Sequence, residues 1–246
     1  MSVMALEPIS PPGDLADYPA PHLAVDLVLL TICDGELKVV MGRRDEEPFS
    51  GDLVLPGAFV HPSETLDETA RRVMETKAGL RGLPVEQLYT FSTPGRDPRG
   101  WVVSAAYFAL TPCETLEDAA GVGAALHLVT VRPRDVHDVT LWLQGSEVDS
   151  GFDHHAIITT AVERLRGKLD WSMVAFALLP EKFTLFELQR VHEVILGRSL
   201  LKPPFRQKML TRRLADGRRL VGTGQLARVG SHRPAELYVL APAPMG

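Results

Sequence analysis

The chain has 246 residues, 45% hydrophobic and 23% charged, a globular composition that excludes a disordered polymer and allows one large or two small domains. No apolar run reaches the roughly 18 residues of a membrane span, so no membrane partner is expected. Residues 1–20 lack the basic-then-apolar order of a secretory signal. The net charge of −5 conceals a split: residues 1–159 hold 11 Lys and Arg against 24 Asp and Glu, a balance of −13, and residues 160–246 hold 15 against 7, a balance of +8. An acidic module joined to a small basic one points to nucleic acid as the partner of the second. Two cysteines, Cys33 and Cys113, are too few for a disulfide scaffold or a zinc site, and are expected as ordinary thiols in a reducing, cytoplasmic setting.

Residues 1–20, with Pro8, Pro11, Pro12, Gly13 and Pro19, read as a flexible leader. Leu23 to Ile32 is apolar and β-branched, and Glu36 to Met41 follows an Asp34-Gly35 turn, the chemistry of a hairpin. Gly51 to Phe59 is a short apolar passage broken at Pro56-Gly57. Ser63-Glu64-Thr65-Leu66 then opens a helix that Gly79 ends. Two strand-like runs, Gln87–Phe91 and Trp101–Leu110, flank a Gly- and Pro-containing loop at 92–100. Strands alternating with helices give an α/β domain with a mixed sheet over residues 21–151.

Phe152 to Leu169 carries Ile157, Ile158, Ala161, Val162 and Leu165 at helical spacing and is expected as a linker helix over 152–170. Trp171 and Phe176 are expected in the core at the junction. Thr184 with Glu187 forms a capping box for a helix that carries Leu185, Leu188, Val191, Ile195 and Leu196 and stops at Gly197. After Pro203-Pro204 a third helix is predicted from Phe205 to about Ala215. Arg219 to Thr223 and Ala235 to Leu240 are strand-like, around a connection rich in Gly, Arg and His. Helix, helix and hairpin make a winged helix-turn-helix over 171–246.

The segment from Pro56 to Leu80 resembles the Nudix box, G-x5-E-x7-R-E-U-x-E-E-x-G-U, a loop–helix–loop that holds Mg²⁺ against a diphosphate. Aligned on Glu64 and Gly79, the chain keeps Glu64, Arg72, Met74, Gly79 and Leu80; the leading glycine falls on Ala58, next to Gly57. The carboxylates of the R-E-U-x-E-E core fall on Val73, Thr76 and Lys77. Mg²⁺ requires hard oxygen ligands. Valine offers none, and an ammonium repels the ion. Glu68 and Glu75 remain, outside the motif positions. The expectation is a Nudix α/β/α sandwich without catalytic residues, metal or required cofactor.

Box and tail together resemble the Nudix-related transcriptional regulators of the NrtR type, a resemblance carried by Phe152-Asp153-His154, by 163–169 and by 179–189. It implies a dimeric repressor of NAD-metabolism genes on palindromic double-stranded DNA, with ADP-ribose or NAD as nucleotide effector. In the third helix, Phe205, Met209, Leu210 and Leu214 share an inward face. Arg206, Gln207, Lys208, Arg212 and Arg213 are left outside, where Arg or Gln reads base edges and other cations hold phosphates. Lys202 before this helix, and Arg228, His232 and Arg233 in the wing, complete the DNA candidates. For the ligand, Arg43 and Arg44 end a strand beside the box and Arg96 and Arg99 lie in the 92–100 loop; guanidinium forks suit a pyrophosphate without metal. Glu64 is included from its motif position. His154 and His155 lack a spaced third metal ligand and are expected to be structural, with His61 on the surface. The competing readings are a Nudix hydrolase of ADP-ribose or another nucleoside diphosphate derivative, and an RNA-binding adaptor, which lacks the exposed aromatic pattern of single-strand recognition.

Overall fold

The computed structural model describes residue 13 and residues 18–119, 126–135, 137–172, 174–214, 217–227 and 234–241. Alternation along β1 (His22–Cys33) organises the first half. Val25, Leu27 and Leu29 enter one apolar cluster, and Val28 and Leu30 the other. A strand apolar on both faces belongs in the middle of a covered sheet. β1 pairs in parallel with β6 (Val102–Leu110) and antiparallel with β2 (Glu36–Arg43). Around them the order is β5 (Glu86–Phe91), β6, β1, β2, β7 (Leu126–Pro133), β8 (Val139–Leu143) and β9 (Ser146–Val148). β3 (Leu53–Val54) pairs with β2, and β4 (Gly57–Phe59) pairs with β1.

α1 (Leu66–Ala78) and α2 (Cys113–Ala119) cover one face, and α3 (His154–Lys168) covers the other. In α1 the Thr65 side chain accepts from the Glu68 amide and Glu68 returns the bond to the Thr65 amide. Gly79 ends the helix at φ 68°, where a Cβ would be strained. The apolar side of α3, Ile157, Ile158, Ala161, Val162 and Leu165, is fully buried. α3 is thus the second helical layer of the mixed-sheet sandwich as well as the way out of it.

The chain continues through a 3-10 turn (Val174–Leu178), β10 (Phe183–Thr184), α4 (Leu185–Leu196), α5 (Lys202–Thr211), β11 (Leu220–Ala227) and β12 (Ala235–Leu240). The three strands order β10-β12-β11, and Thr184 and Glu187 cap α4 reciprocally, giving a winged helix. Leu185, Leu188, Ile195 and Phe205 share one apolar cluster with α3 and with Val28 and Leu30, so the core runs unbroken from sheet to winged helix.

Four expectations are corrected. Cys33 and Cys113 are not separate thiols: the parallel register of β1 and β6 sets Leu110 beside Leu30, so Cys33 at the end of β1 and Cys113 at the start of α2 meet three residues further on, their Cα atoms 5.4 Å apart in a disulfide. α5 begins at Lys202 instead of Phe205, because Pro203 and Pro204 fit a first turn whose amides need no partner, and its last residue is Thr211. Leu210 is exposed while Phe205, Met209 and Leu214 are buried. Trp171 is 59% exposed, with its ring 5.7 Å from the Lys168 ammonium, whereas Phe176 packs 5.7 Å from Phe183.

Two substitutions in α3 test this packing in opposite directions. Leu165→Ala empties a fully buried position and should cost about 2–5 kcal/mol. Gly167 lies in the same helix with open space where a Cβ would stand, so Gly167→Ala should gain about 0.5–1 kcal/mol. Denaturant midpoints of the two variants decide; a loss on Gly167→Ala would contradict the solvated placement of that face.

Candidate ligand cavity and nucleic-acid face

Asp26 lies on the α3 side of β1, 7% exposed. A carboxylate buried in an apolar strand is costly unless paired. Ser104 Oγ donates to its Oδ2 at 2.7 Å, Arg96 Nη2 donates to the same oxygen at 3.2 Å, and His154 Nε2 stands 3.6 Å from Oδ1. Arg96, its side chain 5% exposed, also holds Asp153 in a fork, Nε to Oδ2 at 2.9 Å and Nη2 to Oδ1 at 2.6 Å. Asp153 is the N-cap residue of α3, and next to it His154 Nδ1 accepts the Leu55 amide at 2.9 Å. Burial alone raises the Asp26 pKa; His154 first, then Ser104 and Arg96, outweigh it and hold the carboxyl at about 2. Gly57 in β4 crosses so closely that a Cβ there would come 2.6 Å from Asp26 Oδ1.

A cavity of about 550 Å³ opens beside this cluster. Arg43, Arg44, Arg96 and Arg99 all line it, whereas Glu64 does not. Arg99 forks onto Asp97 at 2.9 and 2.7 Å and lies 5.7 Å from the ring centres of both Phe59 and Phe152. Arg44 donates to the Pro48 carbonyl at 2.6 Å and stands 5.2 Å from the Phe152 ring centre. Arg43 donates to the Gly51 carbonyl at 2.7 Å. The cavity thus offers guanidinium groups beside two aromatic faces, the chemistry of a phosphate next to a flat ring.

Sequence reasoning missed Asp26, Phe59, Thr76, Lys77, Asp153 and His154 as parts of this region. Asp26 had a signal: a charged residue inside an apolar strand must find a buried partner. Thr76 and Lys77 reach the cavity from the last turn of α1, and Val73 is buried beneath the helix.

The box residues do not fit a divalent ion. Glu64 receives Arg72 Nε and Nη2, each at 2.7 Å, and Thr69 Oγ1 at 2.9 Å, so both its oxygens are taken. The Arg72 bonds hold its pKa down to about 2. Thr76 Oγ1 donates back to the Arg72 carbonyl at 2.7 Å. Among the described residues no group of three or more His, Cys, Asp or Glu could hold a metal. His154 and His155 are engaged by Leu55 and Asp138, and His61 is exposed.

In the winged helix, Lys202, Arg206, Gln207, Lys208 and Arg213 are exposed on or just beyond α5. Lys208 is paired with Asp170 at 2.6 Å. Arg212 departs from expectation: it turns inward, donating to the carbonyls of Leu169 at 2.9 Å and Ser172 at 3.3 Å, and so ties the end of α5 to the end of α3. Arg228, His232 and Arg233 lie outside the described residues.

The buried carboxylate makes a pH prediction. A group whose folded pKa is depressed stabilises the fold above its unfolded value, and this contribution is lost as pH falls through the folded value. For Asp26 that window runs from the ordinary 3.8 down to about 2. Asp26→Asn should lower the thermal midpoint at neutral pH and remove on the order of 2 kcal/mol from the acid-dependent loss. Glu64 titrates in the same range, so the difference between the two proteins is the quantity to measure. Equal acid slopes would assign the effect elsewhere.

The chain matches the NUDIX domain family over residues 20–154 and the NrtR DNA-binding winged helix domain family over residues 175–240. The ADPR responsive transcriptional repressor NtrR of Acinetobacter baylyi is 31% identical over 228 residues, spanning 92% of this chain and 84% of that protein. The structure of Shewanella oneidensis NrtR complexed with a 27mer DNA is similar at a TM-score of 0.72 and 35% identity, covering 89% of this chain and 93% of that one. A MutT/nudix family protein from Enterococcus faecalis reaches a TM-score of 0.73 at 28% identity, covering 93% and 90%. With both domains matched in order and a repressor related along nearly its whole length, this chain belongs to the NrtR family of Nudix-related transcriptional regulators.

Proposed function

We propose that the chain is a cytoplasmic, ligand-responsive transcriptional repressor. Its Nudix domain senses ADP-ribose, with NAD as the related alternative, and its winged helix binds a palindromic operator of NAD-metabolism genes as a homodimer. The single observation that carries this reading is the place of α3. At one end Asp153 grips Arg96 in the cavity wall; at the other the Leu169 carbonyl takes Arg212 from α5, and Arg166 donates to the Ile195 carbonyl of α4 at 3.1 Å. Fifteen helical residues span roughly 22 Å. One rigid element therefore touches both the ligand cavity and the DNA-reading helix. The division into a sensor (21–151), a connecting helix (152–170) and a DNA-binding unit (171–246) is part of this proposal, as is assignment of Arg43, Arg44 and Arg99 to the ligand. Arg96 joins them as the residue through which a ligand is felt by α3.

Hydrolysis has no support at the box. Val73 is in the core, Thr76 and Lys77 stand where carboxylates are needed, and Glu64 is occupied by Arg72. The chain's own guanidinium and ammonium groups can bind and orient a diphosphate, and among the described residues the box positions offer no carboxylate free to ligate a divalent ion. AMP release from ADP-ribose in the presence of Mg²⁺ would favour the hydrolase reading instead.

A ligand controls DNA only if it binds the DNA-competent and incompetent states unequally, and the coupling is reciprocal. Calorimetric titration of ADP-ribose into the free protein and into its operator complex should therefore give affinities that differ by about 5- to 150-fold. Identical affinities would eliminate ADP-ribose as effector, and NAD is the next ligand to titrate.

At the DNA, each neutralised phosphate releases counterion, so affinity should fall steeply with salt. Replacing Arg206 or Gln207 by Ala should relax sequence preference by about 1–3 kcal/mol at one base pair. Lys202→Ala should weaken all sequences alike, and Arg212→Ala should act on stability through the lost α3–α5 bonds. Gel shifts across a salt series against operator and scrambled duplexes distinguish these; no binding to any promoter fragment would remove the winged helix from DNA.

A further inference from the structure

Among the described residues, one cation of the cavity wall is held by no partner. Arg96 answers Asp26 and Asp153, and Arg99 answers Asp97. Arg43 and Arg44 are fixed by backbone carbonyls, and two exposed carboxylates, Asp45 and Glu46, also line the cavity. Lys77 also lines it, yet has no hydrogen bond or ion pair among the described residues. Its three donors stay available.

The position has its own logic. Lys77 lies in the last turn of α1, where a cation is favoured by the helix carbonyls, so the ammonium costs the fold little. Beside it Thr76 turns its hydroxyl back to the Arg72 carbonyl, and Val73 is withdrawn into the core, so Lys77 presents the charge of this helix end to the cavity. Three carboxylates at these positions would make the wall negative and repel a diphosphate unless a divalent ion intervened. Here Val73 and Thr76 are neutral, and Lys77 brings a positive charge to the wall with no ion at all.

We propose that Lys77 is a built-in replacement for the divalent cation: its ammonium binds the diphosphate of the ligand directly, and recognition is metal-independent. This rests on the reading of the cavity as a nucleoside-diphosphate sensor and adds the residue that fixes its ligand chemistry. It also selects for the diphosphate, because a nucleoside or a ribose lacks the charge that Lys77 meets.

The test is calorimetric binding of ADP-ribose, and of ADP as a second diphosphate probe, to the full chain in excess EDTA and in excess Mg²⁺. The unmodified protein should show affinities within about twofold in the two buffers. Lys77→Ala should weaken binding by about ten- to a hundredfold, the size of a charge-assisted hydrogen bond. Lys77→Glu should lose more, and Lys77→Arg should retain most of the affinity. Lys77 is exposed, so Lys77→Ala and Lys77→Arg should keep nearly the parental thermal midpoint, and Lys77→Glu, which sets an anion against the helix carbonyls, should lower it only slightly. Dependence of the unmodified chain on Mg²⁺, or full affinity in Lys77→Ala, overturns the proposal while leaving the sensor reading intact. Metal-free binding of ADP through Lys77 without binding of ADP-ribose supports the role of Lys77 and removes ADP-ribose as effector. Failure of both probes overturns both.

Discussion

The arrangement depends on keeping a charge buried in β1. Asp26 is surrounded by apolar strand residues, and an unpaired carboxylate there would cost several kcal/mol. The fold answers with side chains from three separate places, Ser104 from β6, Arg96 from the 92–100 loop and His154 from the start of α3, while β4 passes close to the carboxylate at Gly57. Each is thereby fixed relative to the others. The loop carrying Arg99 is pinned through Arg96, and α3 is pinned through Asp153. The cavity is the space these constrained elements leave between them. Arg96 cannot be judged as a free ligand fork, because removing it would strand two carboxylates as well as altering the wall.

The DNA-binding half is joined to this cluster by direct contact. The apolar face of α3 packs on the sheet and shares its cluster with α4 and α5. Close-packed interiors transmit small displacements because they have few alternative packings. An anion that competes with Asp153 for Arg96 would act on the first turn of α3, and the carbonyls at its far end hold Arg212. Differential binding is what matters, and the Arg96–Asp153 fork is a contact that a second anion at Arg96 would weaken by competition.

Local rules were enough wherever an element carries its own start and stop. Thr65 with Glu68 and Thr184 with Glu187 announce α1 and α4, Gly79 and Gly197 close them, and the alternation of β1 is visible as it stands. Long-range pairing was not legible. β7, β8 and β9 went unread because half-exposed strands carry weak alternation, and α2 is too short to show a period. Cys33 and Cys113 are 80 residues apart, and only the parallel register of β1 and β6 brings them together. The four arginines chosen for their chemistry line one cavity, but which of them are engaged by Asp26, Asp97 and Asp153 depends on the tertiary fold. Pro203-Pro204 read as a turn because prolines break helices, although the first turn accepts them.

The Nudix motif in this chain separates into two sets of positions with different physical duties. One set builds the loop–helix–loop: Glu64 is clamped by Arg72 and Thr69, Arg72 also reaches the Phe59 carbonyl at 3.1 Å, and Gly79 closes the helix in a left-handed conformation. Those residues are present, because losing any of them would leave a polar group or a backbone conformation without support. The other set, where carboxylates would stand to hold a metal, supports nothing in the scaffold. Position 73 can become valine and join the core, and positions 76 and 77 can face the cavity with a hydroxyl and an ammonium. A fold that keeps its scaffold positions keeps its cavity, and under the proposed sensor role the groups that line it here hold a diphosphate.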